Sequence, residues 1–183
     1  MKKLVLATIF TAFLTLSAFA ATDYIYRLDP ASWTLHGMTK SPPTVPAPDG
    51  SMVTPFLVGL TLASAYPASG ISVNANDFDT FSLLYRNLGG PHPEFHVCIN
   101  GKAVGYATHQ CLTFDGVTGA FSYADPGILT YSIAPINSFN GWYLVIITFK
   151  TVAGYEAYPY VQANPEQKFA LDHGRFVTGQ AAD

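Results

Sequence analysis

The stretch Thr80-Phe81-Ser82-Leu83-Leu84-Tyr85 puts Phe81, Leu83 and Tyr85 on one side of an extended chain and Thr80, Ser82 and Leu84 on the other. Apolar side chains at every second position describe a half-buried β-strand, because successive strand side chains point to opposite faces. The same period recurs downstream. Phe121 and Tyr123 alternate with Ala120, Ser122 and Ala124, and Leu129, Tyr131 and Ile133 alternate with Thr130 and Ser132. Trp142-Tyr-Leu-Val-Ile-Ile-Thr-Phe149 is apolar on both faces and reads as a central strand covered on both sides.

Glycine and proline punctuate these runs. Asn100-Gly101 and Asp115-Gly116 are two-residue hairpin signals, since both central positions of that turn need positive φ. About nine or ten short antiparallel strands at intervals of about 8–12 residues predict an all-β fold, a β-sandwich or alternatively a partly open barrel. One short C-terminal helix is expected over 165–173. Asn164 would cap it, Pro165 would open it, Gln167 occupies the capping-box position, Phe169 would dock it and Gly174 would end it. His173 would then place a cation at the helix C-terminus. Residues 178–183 are expected to fray.

The N-terminus reads differently. Met1-Lys2-Lys3 is basic, Leu4 to Leu16 is apolar apart from threonines, and Ala18-Phe19-Ala20 is a small-x-small cleavage site. Residues 1–20 therefore read as a secretory signal peptide. The run is short for a membrane anchor, which needs about 20 apolar residues. Residues 21–183 form one expected domain. Ser41 to Gly50 carries four prolines, which forbid a helix and predict a strap across the surface.

Of the 183 residues, 14% are aromatic and 11% charged, against roughly 25% charged in an average domain. Removing residues 1–20 takes two lysines, leaving seven cations against twelve acids and a net charge of −5. No basic run remains, so nucleic acid and anionic membrane are poor partners. No second long apolar stretch follows, which leaves no membrane span after signal cleavage. The expected address is secreted, extracellular or periplasmic.

In such a compartment the only two cysteines, Cys98 and Cys111, are expected to pair. Geometry opposes the simplest path. A two-residue turn at Asn100-Gly101 pairs residues whose numbers sum to 201. A plain meander from there leaves the cysteines roughly 16 Å apart, from strand spacing and rise. A disulfide needs Cα atoms within about 7 Å. Pairing therefore implies that the chain leaves the sheet between Gly105 and Gln110, crossing to the facing sheet. The alternative is two buried free thiols.

His92, Glu94 and His96 share one strand face, and the same register sets His109 opposite His92. Imidazoles and a carboxylate in that arrangement suit zinc or copper(II). A solvated polar face explains the same residues, and Pro91 and Pro93 mark the stretch as an edge strand or a loop. Asn74, Asn76, Asp77 and Asp79 form an oxygen-rich run that suits calcium, or a turn whose side chains bond their own backbone.

Glu156, Tyr158 and Tyr160 share a strand face, with Pro159 marking an edge. Tyrosines beside a carboxylate make an amphipathic patch suited to sugars or proteins. The chain carries no nucleophile elbow, zincin helix, phosphate loop or dinucleotide fingerprint. The leading expectation is an exported, non-enzymatic module binding a surface glycan or protein through Glu156, Tyr158 and Tyr160. A metal-dependent or hydrolytic enzyme using His92, Glu94, His96 and His109 is one alternative. A structural component of a wall or surface assembly is the other.

Overall fold

The structure, a computed structural model, describes residues 24–72, 78–100, 109–139, 141–150 and 156–178. Residues 1–20, with the expected signal peptide, lie outside it, as do Asn74, Asn76 and Asp77 of the calcium reading.

Sixteen strands run through the described residues: β1 (Tyr24–Leu28), β2 (Thr34–His36), β3 (Met38–Lys40), β4 (Val45–Pro46), β5 (Met52–Val53), β6 (Phe56–Val58), β7 (Ala63–Tyr66), β8 (Ile71–Ser72), β9 (Phe78–Gly89), β10 (Glu94–Asn100), β11 (His109–Asp115), β12 (Phe121–Ala124), β13 (Ile128–Pro135), β14 (Trp142–Lys150), β15 (Glu156–Ala163) and β16 (Lys168–Thr178). The excess over nine or ten comes from pieces of two to four residues before residue 73, too short for a periodic signal.

Fourteen strands form two seven-stranded sheets. A back sheet runs β13-β14-β9-β16-β6-β3, with β1 also on β16, and a front sheet runs β12-β11-β10-β15-β7-β2, with β8 also on β15. The fold is a sandwich rather than an open barrel. Its centre is an aromatic cluster drawn from both sheets. Tyr85 and Phe169 of the back sheet meet Phe95 and Phe114 of the front sheet, at ring-centroid distances of 4.1 Å for Tyr85–Phe95 and 4.9 Å for Phe95–Phe169. Burying each such ring stabilises the fold by about 1.5–3 kcal/mol. The Tyr85 hydroxyl, held there with its pKa pushed up by burial, accepts a bond from Gln167 Nε2 at 3.3 Å.

The expected helix over 165–173 does not form, and no α-helix occurs among the described residues. Its local signal is real but brief. Gln167 Oε1 accepts from Asn164 N at 3.2 Å, as a capping box requires, and Gln167 N donates to Asn164 O at 3.3 Å. The chain then straightens into β16, which pairs with β9 on one side and with β6 and β1 on the other. That position pairs most of the backbone with neighbouring strands and buries Phe169, Leu171 and Phe176, which a lone nine-residue helix could not do. His173 therefore caps no helix. Thr178, expected to fray, pairs with Tyr24 and Asp79 and is buried.

Three further local readings shift. Asp115-Gly116 opens a longer loop, in which Asp115 Oδ1 accepts from Val117 N and Thr118 N and Ala120 O closes back onto Asp115 N. Phe121, Tyr123, Leu129 and Tyr131 lie on true strands but face solvent, because β12 and β13 are the outermost strands of their sheets. Alternation identifies a strand without saying which face is buried. β14 has its inner face in the core, while its outer Leu144 and Ile146 line an open groove. Among the described residues, cover over this outer face is at its Trp142 end. There the β4–β5 hairpin, which includes part of the proline-rich segment 41–50, lays Ala47 on the indole, and Trp142 Nε1 donates to Pro46 O at 3.1 Å.

Candidate functional site on the front sheet

β10, β11 and β15 each send alternate residues into the core: Phe95, Val97 and Ile99, then Leu112 and Phe114, then Ala157, Val161 and Ala163. Their other residues form the outer face. Register sets these in rows across the strands. One row runs Tyr123, Thr113, His96, Gln162, Ser64, His36. Next come Cys111, Cys98 and Tyr160, and then His109, Asn100 and Tyr158. Six strands at about 4.8 Å spacing give the longest row a span of about 24 Å.

The β10–β11 register decides which residues meet. Cys98 lies directly opposite Cys111, so paired residues sum to 209 rather than 201. The two-residue turn at Asn100-Gly101 is absent, since Asn100 pairs with His109 and not with a residue of that turn's register; residues 101–108 lie outside the described residues. The disulfide forms across neighbouring strands of one sheet, with Cα atoms 4.1 Å apart. No crossing to the facing sheet is needed, because the longer connection shifts the register by eight.

That shift separates the forecast metal ligands. His92 is exposed in the loop before β10, Glu94 is opposite Asp115, and His96 is opposite Thr113. His109 lies four rungs from His96, about 13 Å along the strand. The set His92, Glu94, His96 and His109 is therefore not brought together to hold zinc or copper. His96 Nδ1 bonds Thr113 Oγ1 at 2.9 Å, and partial burial holds its pKa below the ordinary value against the opposing pull of Glu94. β10 is central, not an edge. Asp79, the one described member of the calcium run, is buried at the start of β9.

Glu156, Tyr158 and Tyr160 do share the outer face, but β15 is no edge strand either. It is flanked by β10 on one side and by β8 and then β7 on the other. Pro159 falls between the β8 and β7 pairings, where the ladder on that side is already interrupted. Tyr158 Oη donates to Glu156 Oε2, a bond that raises the Tyr158 pKa. Gly70 keeps this pair in place, since a Cβ there would lie 2.5 Å from Tyr158 Cζ and 2.7 Å from Glu156 Oε2. Tyr160 is largely buried, and burial pushes its pKa up. Its hydroxyl contacts His109 Nδ1 and lies 3.1 Å from His109 Nε2.

Tyr158, Tyr160, His109, Asn100, Gln162, Ser64 and Tyr66 line a pocket of about 300 Å³ on this face. Tyr66 stacks on His36 at 5.4 Å and its hydroxyl bonds His36 Nε2 at 2.7 Å. Tyr66, Ser64, Asn100, Gln162 and His36 were not legible as site residues. β7 and β2 precede β15 by about ninety residues or more, and nothing local marks them as its neighbours. Every Lys and Arg among the described residues (Arg27, Lys40, Arg86, Lys150, Lys168 and Arg175) sits on a strand of the back sheet. The outer face of the front sheet carries only acids and neutral groups among the described residues. The back sheet has a larger groove, about 870 Å³, mixing Leu84, Leu144 and Ile146 with Arg27, Asp172 and Arg175.

No protein-family model and no curated protein sequence matches the chain. Solved structures match it in fold. The CBM22-1 and GH10 modules of Clostridium thermocellum endo-1,4-β-D-xylanase 10B, complexed with xylohexaose, match over 89% of this chain at 10% identity and a TM-score of 0.51. The chain spans 29% of the length of that structure. The C-terminal CBM6 of a marine laminarinase from Zobellia galactanivorans matches over 85% of this chain and 99% of its own, at 10% identity and a TM-score of 0.45. The enzymatically active domain of tailspike protein 4 from bacteriophage CBA120 matches over 82% of this chain and 20% of its own, at 12% identity and a TM-score of 0.47. At 10% identity the match at a TM-score of 0.51 is a likeness of fold alone.

Proposed function

We propose that this protein is an exported, non-catalytic module that binds a neutral carbohydrate on the outer face of the front sheet. The observation that carries the reading is the pocket of Tyr66, Tyr158, Tyr160, His109, Asn100, Gln162 and Ser64 on a face without described cations. A pyranose has apolar C–H faces and a rim of hydroxyls. Tyrosine rings cover the former, and amide, imidazole and hydroxyl groups donate to and accept from the latter. Glu94, Asp115 and Glu156 on the same sheet disfavour anionic chains such as uronates or sulfated glycans. The row of about 24 Å is long enough for several sugars of a linear chain. The fold shared with a structure determined with xylohexaose supports trying glycans first.

A glycan array followed by calorimetry tests the reading. A neutral oligosaccharide is expected to bind, and uronate-rich chains are not. Tyr158→Ala and Tyr66→Ala are each expected to weaken binding by about 3–10-fold, the loss of one ring contact of about 0.5–1.5 kcal/mol. Retention of no neutral glycan, or equal binding by both variants, overturns it; capture of a protein instead would do the same. Export predicts that the secreted protein begins at Ala21, which N-terminal sequencing reads directly.

A further inference from the structure

The Cys98–Cys111 disulfide lies beneath Tyr160 and beside His109, in a cluster of its own on the outer face. Cys111 Sγ is 3.3 Å from His109 Nε2 and 3.8 Å from Tyr160 Oη, and Nε2 is 3.1 Å from Oη. The donor atoms of Cys98, His109 and Cys111 all fall within 4.8 Å of one another. In a tetrahedral zinc site the N–S edge is about 3.6 Å, from the usual zinc–ligand bond lengths. The Cys111 Sγ–His109 Nε2 separation is within about 0.3 Å of that edge, while Tyr160 Oη contacts Nδ1 on the other side of the ring. The two sulfurs are closer than the S–S edge of about 3.8 Å, because they are bonded.

We propose that reduction of this disulfide converts the cluster into a zinc site, with the Cys98 and Cys111 thiolates and His109 Nε2 as ligands and a water at the fourth corner. The reductant is a dithiol. Its thiolate attacks one sulfur, the Cys98–Cys111 bond breaks, and the dithiol is oxidised to its own disulfide. Its two protons and the electron pair end on Cys98 and Cys111 as thiols. Zinc then displaces both thiol protons to solvent, while His109 binds as neutral imidazole and moves no proton. The sulfurs part to about 3.8 Å, the S–S edge of the same tetrahedron. Asp125 Oδ2 holds Cys111 N at 2.7 Å, which keeps the backbone of that ligand in place. This set differs from the one forecast from spacing, sharing only His109 with it. It does not depend on what else the pocket binds.

Cobalt(II) is the probe, added to the whole chain after reduction by dithiothreitol and anaerobic desalting. One equivalent is expected to give a thiolate-to-cobalt charge-transfer band and intense tetrahedral d–d bands, both removed by zinc. Protein left oxidised is expected to give neither. His109→Ala is expected to weaken cobalt binding at least tenfold, with Cys98 and Cys111 intact. Near-ultraviolet circular dichroism follows the fold throughout. No thiolate band in the reduced chain overturns the proposal, as does undiminished affinity in His109→Ala. So does a reduced chain that binds cobalt only after losing its near-ultraviolet signal.

Discussion

Opening the Cys98–Cys111 bond is expected to lower stability by about 3 kcal/mol while leaving the protein folded. The cysteines are 13 positions apart, so the bond closes a loop of 14 residues. The chain-entropy relation gives about 10 cal/mol/K for that loop, or about 3 kcal/mol at 25 °C. For a domain of this size the shift in Tm is about 6–12 °C. A chain of this length carries on the order of 10 kcal/mol of stability, so most molecules stay native after reduction. Urea unfolding followed by tryptophan fluorescence reads the difference, since Trp33 and Trp142 are 5% and 1% exposed and report opposite faces of the back sheet. The measurement is made with and without dithiol, beside Cys98→Ala/Cys111→Ala, in which dithiol must have no effect. Thiol titration should find none before reduction and two after. A loss below about 1 kcal/mol would refute the loop-closure account, as would an equal effect of dithiol on the double variant.

Phe95→Ala should lower stability by about 3–5 kcal/mol, because its ring is fully buried against Tyr85, Phe114 and Phe169; denaturant titration measures it, and a change below about 1.5 kcal/mol would contradict the packing. Gly116→Ala places a Cβ against the Tyr85 hydroxyl and 3.0 Å from Pro93 O. Tyr85 is fully buried and cannot swing away, so a loss of about 1–3 kcal/mol is expected by thermal unfolding. His96 should make stability depend on pH. Burial lowers its pKa in the folded chain below the unfolded value near 6.5, so the unfolded chain takes up its proton first as pH falls. The stability from neutral His96 is therefore whole above about pH 6.5 and lost as pH falls through the folded value. Urea midpoints between about pH 5 and 8 should show this slope, and His96→Gln should flatten it.

The two sequence-level readings of function, a tyrosine patch at 156–160 and a histidine stretch at 92–109, are neighbouring parts of one face. Residue types in each were legible because alternation along a single strand puts Glu156, Tyr158 and Tyr160, or Glu94 and His96, on the same side. Their adjacency was not, because β15 reaches β10 from about sixty residues away. Tyr66 and His36 come from still farther, through β7 and β2. The metal reading failed at a single step, a register set by assuming the tightest turn at Asn100-Gly101.

Strand character, the grouping of Phe81, Leu83 and Tyr85 on one side of β9, and the low charge of the chain follow from local pattern and composition. A side-chain period of two needs no partner to be visible. Pairing needs a partner. The same capping residues at 164–167 that suit a helix end as one turn here, since β9, β6 and β1 together pair most of the backbone of 168–178. A shift of eight in one register brings the cysteines together and parts the histidines, and no property of either strand alone encodes that choice. The segregation of the described Lys and Arg residues onto one sheet is likewise a result of pairing. It leaves the other sheet, among the described residues, with the tyrosine-lined face free of Lys and Arg on which the functional proposal rests.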